Sequence, residues 1–161
     1  MIKRVSPADY RALAGLRHRI RLFLQEGDAA ARRVGLEPQQ FVLLLTVRGL
    51  PEGVEATVHT LAERLALKHN TTVELIDRMA RHGYVSRNRS HDDARCVIVS
   101  LEPRGRKLLE QVARQRLTEL RAGGAELVDA LHALLGRKRK SRRNGRAPSA
   151  LTRRRSARKT S

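Results

Sequence analysis

Two amphipathic stretches stand only a few residues apart in the middle of this chain, and their spacing constrains the fold more than any other feature. Thr57 is placed to cap a helix over 58–66, with Leu61, Ala62 and Leu65 turned inward. Lys68-His69-Asn70 reads as a short polar turn. A second helix follows over 71–82, with Val73, Leu75, Ile76 and Met79 toward one side and Gly83 as its C-terminal glycine. Two helices joined by so short a turn are the skeleton of a helix-turn-helix. Tyr84 to Asn88 is then a strand candidate and Arg89 to Ala94 a charged loop. From Arg95 to Leu101 the residues alternate, Val97, Val99 and Leu101 facing one way and Cys96, Ile98 and Ser100 the other. Strand, loop and strand after a helix-turn-helix predict a winged helix.

Helices flank this unit on both sides. Ser6-Pro7-Ala8-Asp9 carries a hydroxyl cap, a first-position proline and a first-turn acid. Leu13, Leu16, Ile20, Phe23 and Leu24 continue one apolar face to about residue 30. Pro38 opens a helix to about 48 with Phe41, Leu44 and Leu45 on one side, ended by Gly49-Leu50-Pro51. Pro103 opens another to about Arg121, with Leu108, Leu109, Val112, Leu117 and Leu120 apolar. Gly123-Gly124 interrupts it, and a last helix over 125–136 shows Leu127, Val128, Leu131, Leu134 and Leu135. The fold class is therefore mainly α, a winged helix-turn-helix with N- and C-terminal dimerisation helices. The first and the last two helices carry more apolar surface than the small helix-turn-helix unit can cover. A homodimer would bury it, and a larger intramolecular core is the alternative.

Charge divides the chain in two. Of its 34 Lys and Arg, 12 fall within 137–161, where there is no acid, leaving 22 against all 16 Asp and Glu in residues 1–136. Residues 1–136 can bury a core. The tail 137–161 has almost nothing apolar to offset its ordering entropy and is expected to be a disordered polybasic segment. Such a tail binds nucleic acid, binds an anionic membrane, or simply solubilises. The missing apolar anchor weakens the membrane reading, and the charge footprint favours nucleic acid.

Other classes are excluded more directly. A single Cys permits no internal disulfide, and one Cys with six scattered His has no paired zinc spacing. The longest apolar run, Phe41 to Leu45, is far below the ~20 residues that cross a bilayer. No apolar stretch follows Lys3 and Arg4, so no signal peptide is expected, and the expected location is cytoplasmic and nucleoid-associated. There is no Gly-rich phosphate loop, H-E-x-x-H or G-x-S-x-G, so no enzyme and no cofactor are expected. Stacking platforms for single strands are scarce, with only Tyr10, Tyr84, Phe23 and Phe41 present.

Taken together, the order of elements and the residues resemble the MarR family of transcriptional regulators. The residues that carry the resemblance are Leu61-Ala62-Glu63-Arg64-Leu65, Thr71 to Asp77-Arg78, Gly83-Tyr84-Val85, Asp93-Ala94-Arg95 and Leu101-Glu102-Pro103-Arg104-Gly105. It covers residues 6–136 and leaves the tail outside. Glu102 stands where the family usually has a capping Thr, and a carboxylate also suits a helix N-terminus. Lys68-His69-Asn70 replace the family's serines before the reading helix, so the bases read do not carry over.

The resemblance implies a double-stranded DNA reader. Helix 71–82 would enter the major groove by its N-terminal end. His69, Asn70, Thr71, Thr72 and Glu74 stand there. Asn suits adenine, Glu suits cytosine N4 and a Thr methyl suits thymine. Asn70 is equally an N-cap candidate. Lys68, Arg78 and Arg81 suit phosphates, or are a solvated face. Arg87, Arg89 and Arg95 bracket the wing 87–95. By resemblance, Arg95 reaches the minor groove and Asp93 steadies it, the alternative being a surface ion pair. Family members also respond to small aromatic effectors, for which Tyr10, Arg17, His18, Phe23 and Phe41 are the candidate lining. Cys96 as a redox sensor is weaker than Cys96 as a small buried residue. The competing overall reading is a sequence-tolerant nucleoid or architectural protein, a winged-helix anchor with a compacting tail.

Overall fold

The computed structural model describes residues 4–89 and 96–135. The expected tail 137–161, and the wing tip with Asp93 and Arg95, lie outside the described residues. In chain order the elements are α1 (Pro7–Arg33), α2 (Pro38–Arg48), α3 (Val58–Leu65), α4 (His69–Arg81), β1 (Val85–Arg89), β2 (Val97–Leu101), α5 (Pro103–Gly123) and α6 (Ala125–Leu134).

Local chemistry sets the helix starts. The Ser6 hydroxyl accepts from the Asp9 N–H at 3.3 Å while the Asp9 carboxylate accepts from the Ser6 N–H at 2.8 Å, a complete capping box. Pro38 and Pro103 occupy first helical positions as predicted. The helix ends depend more on packing. α1 runs to Arg33 rather than to about 30, because its buried face continues in small residues, Gly27, Ala30 and Ala31, that a pattern of large apolar side chains does not reveal. In α2 the buried residues are Phe41, Leu43 and Leu44, whereas Leu45 is 46% exposed, so Leu43 takes the place expected of Leu45.

One core holds the winged unit. Leu36, Leu43, Leu44, Leu61, Leu75, Ile76, Met79, Val99 and Val112 are all essentially buried. β1 and β2 pair antiparallel from Val85 opposite Leu101 to Arg89 opposite Val97. A third short edge comes from the segment before α3, where the Val99 N–H donates to the Ala56 carbonyl at 2.9 Å and Thr57 bridges Ile98. By contrast α6 buries no residue, and Leu13, Ile20, Leu24, Leu117, Val128, Leu131 and Leu135 stay exposed. The surplus apolar surface is thus not taken up by a larger intramolecular core.

Two glycines let the wing sit against the helices. Gly83 adopts φ 68°, and the Tyr84 N–H then closes α4 by donating to the Met79 carbonyl at 3.0 Å. Gly105 meets the backbone of Tyr84 so closely that a Cβ on it would lie 2.1 Å from the Tyr84 carbonyl oxygen. That contact brings the start of α5 onto the start of β1, where the Glu102 N–H donates to the same carbonyl at 3.0 Å. Arg104 completes the joint: its guanidinium lies 5.2 Å from the Tyr84 ring centre and donates to the His82 carbonyl at 3.1 Å.

A second joint fastens α1 to α5. Arg116 is 7% exposed. It donates to the Phe23 carbonyl at 3.0 Å and to Glu26 at 3.2 Å, pairs with Glu119, and stacks 4.8 Å above the Phe23 ring. It stands in a cleft of about 610 Å³ between α1, α5 and α6. Of the expected effector lining only Phe23 lines that cleft. Tyr10, Arg17 and His18 are exposed elsewhere on α1 and Phe41 is in the core, so those five residues form no common site. They fail to meet because Tyr10 and Phe23 are more than three helical turns apart and Phe41 faces inward.

Two outcomes are expected of these joints. Gly105→Ala forces a side chain into backbone that cannot rotate away, and should destabilise by at least the ~1–3 kcal/mol typical of overpacking. A thermal melt with a midpoint equal to that of the parent chain would refute the close approach. The Glu119 carboxyl is held below its ordinary range, first by the hydrogen bond from the Gln115 amide and then by Arg116 and Arg33, against the opposing effect of burial. A depressed carboxyl stabilises fully above the ordinary value of 4.5 and loses that contribution as pH falls through its lower folded value. The gap in melting temperature between the parent chain and Glu119→Gln should therefore narrow as the pH is taken from neutral to about 3, as calorimetry at stepped pH would show.

Candidate nucleic-acid interface

The inward face of α4 is Thr72, Leu75, Ile76 and Met79, all buried. A 3.6-residue period places Asn70, Glu74, Asp77 and Arg81 along the opposite, outward line, with Thr71 and Arg78 beside it. Asn70, Thr71, Glu74, Arg78 and Arg81 are exposed. The stretch Glu74, Asp77, Arg78 and Arg81 lines a shallow surface groove of about 310 Å³.

The turn before α4 differs from the expected one. α3 ends at Ala66 in the left-handed region (φ 52°), and the Leu67 N–H donates back to the Ala62 carbonyl at 3.0 Å. Leu67 packs against the core. The turn is therefore the apolar Ala66-Leu67 followed by Lys68 in an extended conformation, and α4 begins at His69, two residues earlier than predicted. Lys68-His69-Asn70 carry the polarity of a turn, but the packing of Leu67 against the core decides where the chain bends.

This shift reassigns several candidates. Lys68 is the N-cap residue and makes no side-chain capping bond, so Asn70, at the second helical position, is not the cap and faces outward. His69 is exposed at the first helical position. Thr72 is fully buried and its hydroxyl donates to the Lys68 carbonyl at 3.1 Å, so it supports the turn and cannot read a base. Lys68 is exposed beside the helix N-terminus, whose first N–H groups carry no side-chain cap. A terminus of this kind suits a phosphate oxygen.

At the wing, Arg87 does not stand as an independent cation. It is paired with Asp77, tying β1 to the outward line of α4. In the sequence Arg87 belongs with the charged loop, and nothing marks Asp77 as its partner. The ten-residue separation gives no periodic signal, and only the fold brings the two together. Arg89 is exposed at the end of β1, where the chain enters the wing loop. Asp93 and Arg95 lie outside the described residues. Cys96 is half-buried at the entrance to β2. Among the described residues no cluster of three or more His, Cys, Asp or Glu could hold a metal ion, and no helix is long and apolar enough to cross a membrane.

With this geometry in view, the comparisons with known proteins bear on its origin. Residues 36–97, which span α2 through the start of β2, match the family model described as the MarR family. The chain is 32% identical over 106 residues to the uncharacterized HTH-type transcriptional regulator YsmB of Bacillus subtilis, an alignment covering 66% of this chain and 70% of that protein. Among solved structures, AbsC, a MarR family transcriptional regulator from Streptomyces coelicolor, superposes with a TM-score of 0.64 at 18% identity, covering 79% of this chain and 83% of that one. A mutant MarR from E. coli complexed with operator DNA superposes at 0.56 with 24% identity, over 75% of this chain and 91% of that one. The matched span holds the whole of α4 and much of its supporting core, and the chain belongs to the MarR family of transcriptional regulators, whose members bind DNA through a winged helix.

Proposed function

We propose that this chain is a homodimeric, sequence-specific regulator of transcription that binds double-stranded DNA and represses by occupying its site. The observation that carries the reading is the two-faced character of α4: its inner face is locked in the core while Asn70, Thr71, Glu74, Arg78 and Arg81 stand free on the outside. A helix so mounted fits the major groove, and the wing 87–95 then meets the adjacent minor groove, Arg89 and Arg95 supplying its cations. Lys68, Arg78 and Arg81 take phosphates, which set register without reading sequence. The mutant MarR solved in complex with operator DNA has the same fold, which supports a DNA-binding role.

Dimerisation is supported by the exposed apolar residues Leu13, Ile20 and Leu24 on α1, Leu117 on α5, Val128 and Leu131 on α6, and Leu135 just after it. Two-fold pairing through these helices presents two copies of α4 to a pseudopalindrome with half-sites about one helical turn apart. The cleft between α1, α5 and α6 is internally matched. Arg19 pairs with Glu126, Arg33 stands 3.8 Å from Glu119, and Arg116 bonds Glu26 and Glu119. It therefore offers no spare cation to the acid group of an aromatic effector, and we assign none to it. The tail 137–161 adds sequence-independent phosphate contacts.

Binding to a selected duplex and to random duplex at physiological salt tests the reading. A preference of at least ~10³ is expected of a regulator; a much smaller ratio favours the architectural, sequence-tolerant alternative. Removing 137–161 should weaken both affinities by similar factors and flatten their salt dependence. Loss of preference alone on truncation would overturn the division between reading helix and tail.

A further inference from the structure

The outward line of α4 presents two carboxylates, Glu74 and Asp77, on the surface that this reading lays against a polyanion. Asp77 is accounted for by Arg87. Glu74 is exposed, and among the described residues it forms no ion pair, although Arg78 stands one turn further along the same helix. An unneutralised carboxylate inserted between phosphate backbones opposes binding unless a donor meets it there. In the major groove the donors are the exocyclic amino groups of cytosine and adenine. Guanine presents N7 and O6, and thymine O4, all of which repel a carboxylate. Adenine sets its own acceptor N7 beside N6, whereas cytosine has no major-groove acceptor of its own beside N4.

We infer that Glu74 is a specificity-determining residue, reading one cytosine N4 in each half-site and acting as much by rejecting the other bases as by bonding the right one. The inference rests on the DNA-reading role of α4 proposed above. Two features of the structure make Glu74 the residue to single out. It lies one turn from the helix N-terminus, where base edges are met, on the same outward line as Asn70. The buried face of Thr72, Leu75, Ile76 and Met79 fixes the roll of the helix so that this carboxylate stays outward, and the Asp77–Arg87 pair ties β1 to the helix one turn further on.

The test is selection from a randomised duplex library with the full chain, followed by affinity measurement on all four bases at each selected position. The parent chain should enrich a site with a C·G pair placed symmetrically about its dyad and prefer it over the other three bases by about 5- to 100-fold, the range a good base contact supplies. Glu74→Ala should melt like the parent, bind random duplex several-fold more tightly, and lose that one preference while keeping the others. Glu74→Gln should shift the same position toward adenine, whose N6 and N7 match the amide. An enriched site whose base preferences are untouched in Glu74→Ala, or a full cytosine preference retained in Glu74→Gln, overturns the assignment while leaving the DNA-reading role standing. Failure of the parent chain to enrich any site overturns that role and this assignment together.

Discussion

Thr72, Leu75, Ile76 and Met79 enter a single core with Leu36, Leu43, Leu44, Leu61, Val99 and Val112, and burying that face of α4 fixes the helix in roll as well as in place. Each fully buried Leu, Ile or Met is worth about 1.5–3 kcal/mol, so three such side chains on a 13-residue helix hold it far more firmly than its own propensity could. Everything on the outside follows. Rolling α4 by one residue position would expose Ile76 and submerge Glu74, and the outward line of Asn70, Glu74, Asp77 and Arg81 would no longer exist. The placement of this outer surface is therefore a property of the core behind it.

Around this helix the charges are deployed in two ways. Asp77 and Arg87 cancel each other and act as a strap between α4 and β1, a pairing half-exposed on both sides and so worth at most ~1 kcal/mol in isolation. Its use is geometric. The Gly105–Tyr84 contact and the Arg104 stack hold the start of the same strand, so β1 is fastened at its start and again at its middle residue. Lys68, Arg78, Arg81 and Arg89, by contrast, form no ion pair among the described residues, which leaves them available for the phosphate contacts proposed for them. Arg116 represents the third situation, a cation buried between helices and satisfied by two carboxylates and a carbonyl, where loss of one partner would leave the others uncompensated.

Much of the fold is legible in the residues because its signals are local. Ser6-Pro7-Ala8-Asp9, Pro38 and Pro103 mark helix starts through cap chemistry confined to a few neighbouring positions. Gly83 marks an end because only a residue at ease with positive φ closes α4 there. Val97, Val99 and Leu101 mark a strand by alternation. The candidate site was less legible. Ala66 and Leu67 look like helix, yet they form the turn because Leu67 finds a place in the core. Thr72 looks like a base reader two residues after the expected turn, yet it is buried. Arg87 looks like a free wing cation until Asp77, ten residues away, is brought beside it.

From the amino-acid order alone come the succession of helices and strands, the amphipathic faces and the concentration of positive charge after residue 136, since these depend on periods of two or 3.6 residues, on cap and turn chemistry, and on counting. Which polar side chains stand free and which are consumed by the architecture was a matter for the folded chain. Arg116 with Glu26 across 90 residues, Arg87 with Asp77, and Gly105 against Tyr84 are contacts between segments whose separation carries no periodicity, and they exist only once the core has drawn those segments together.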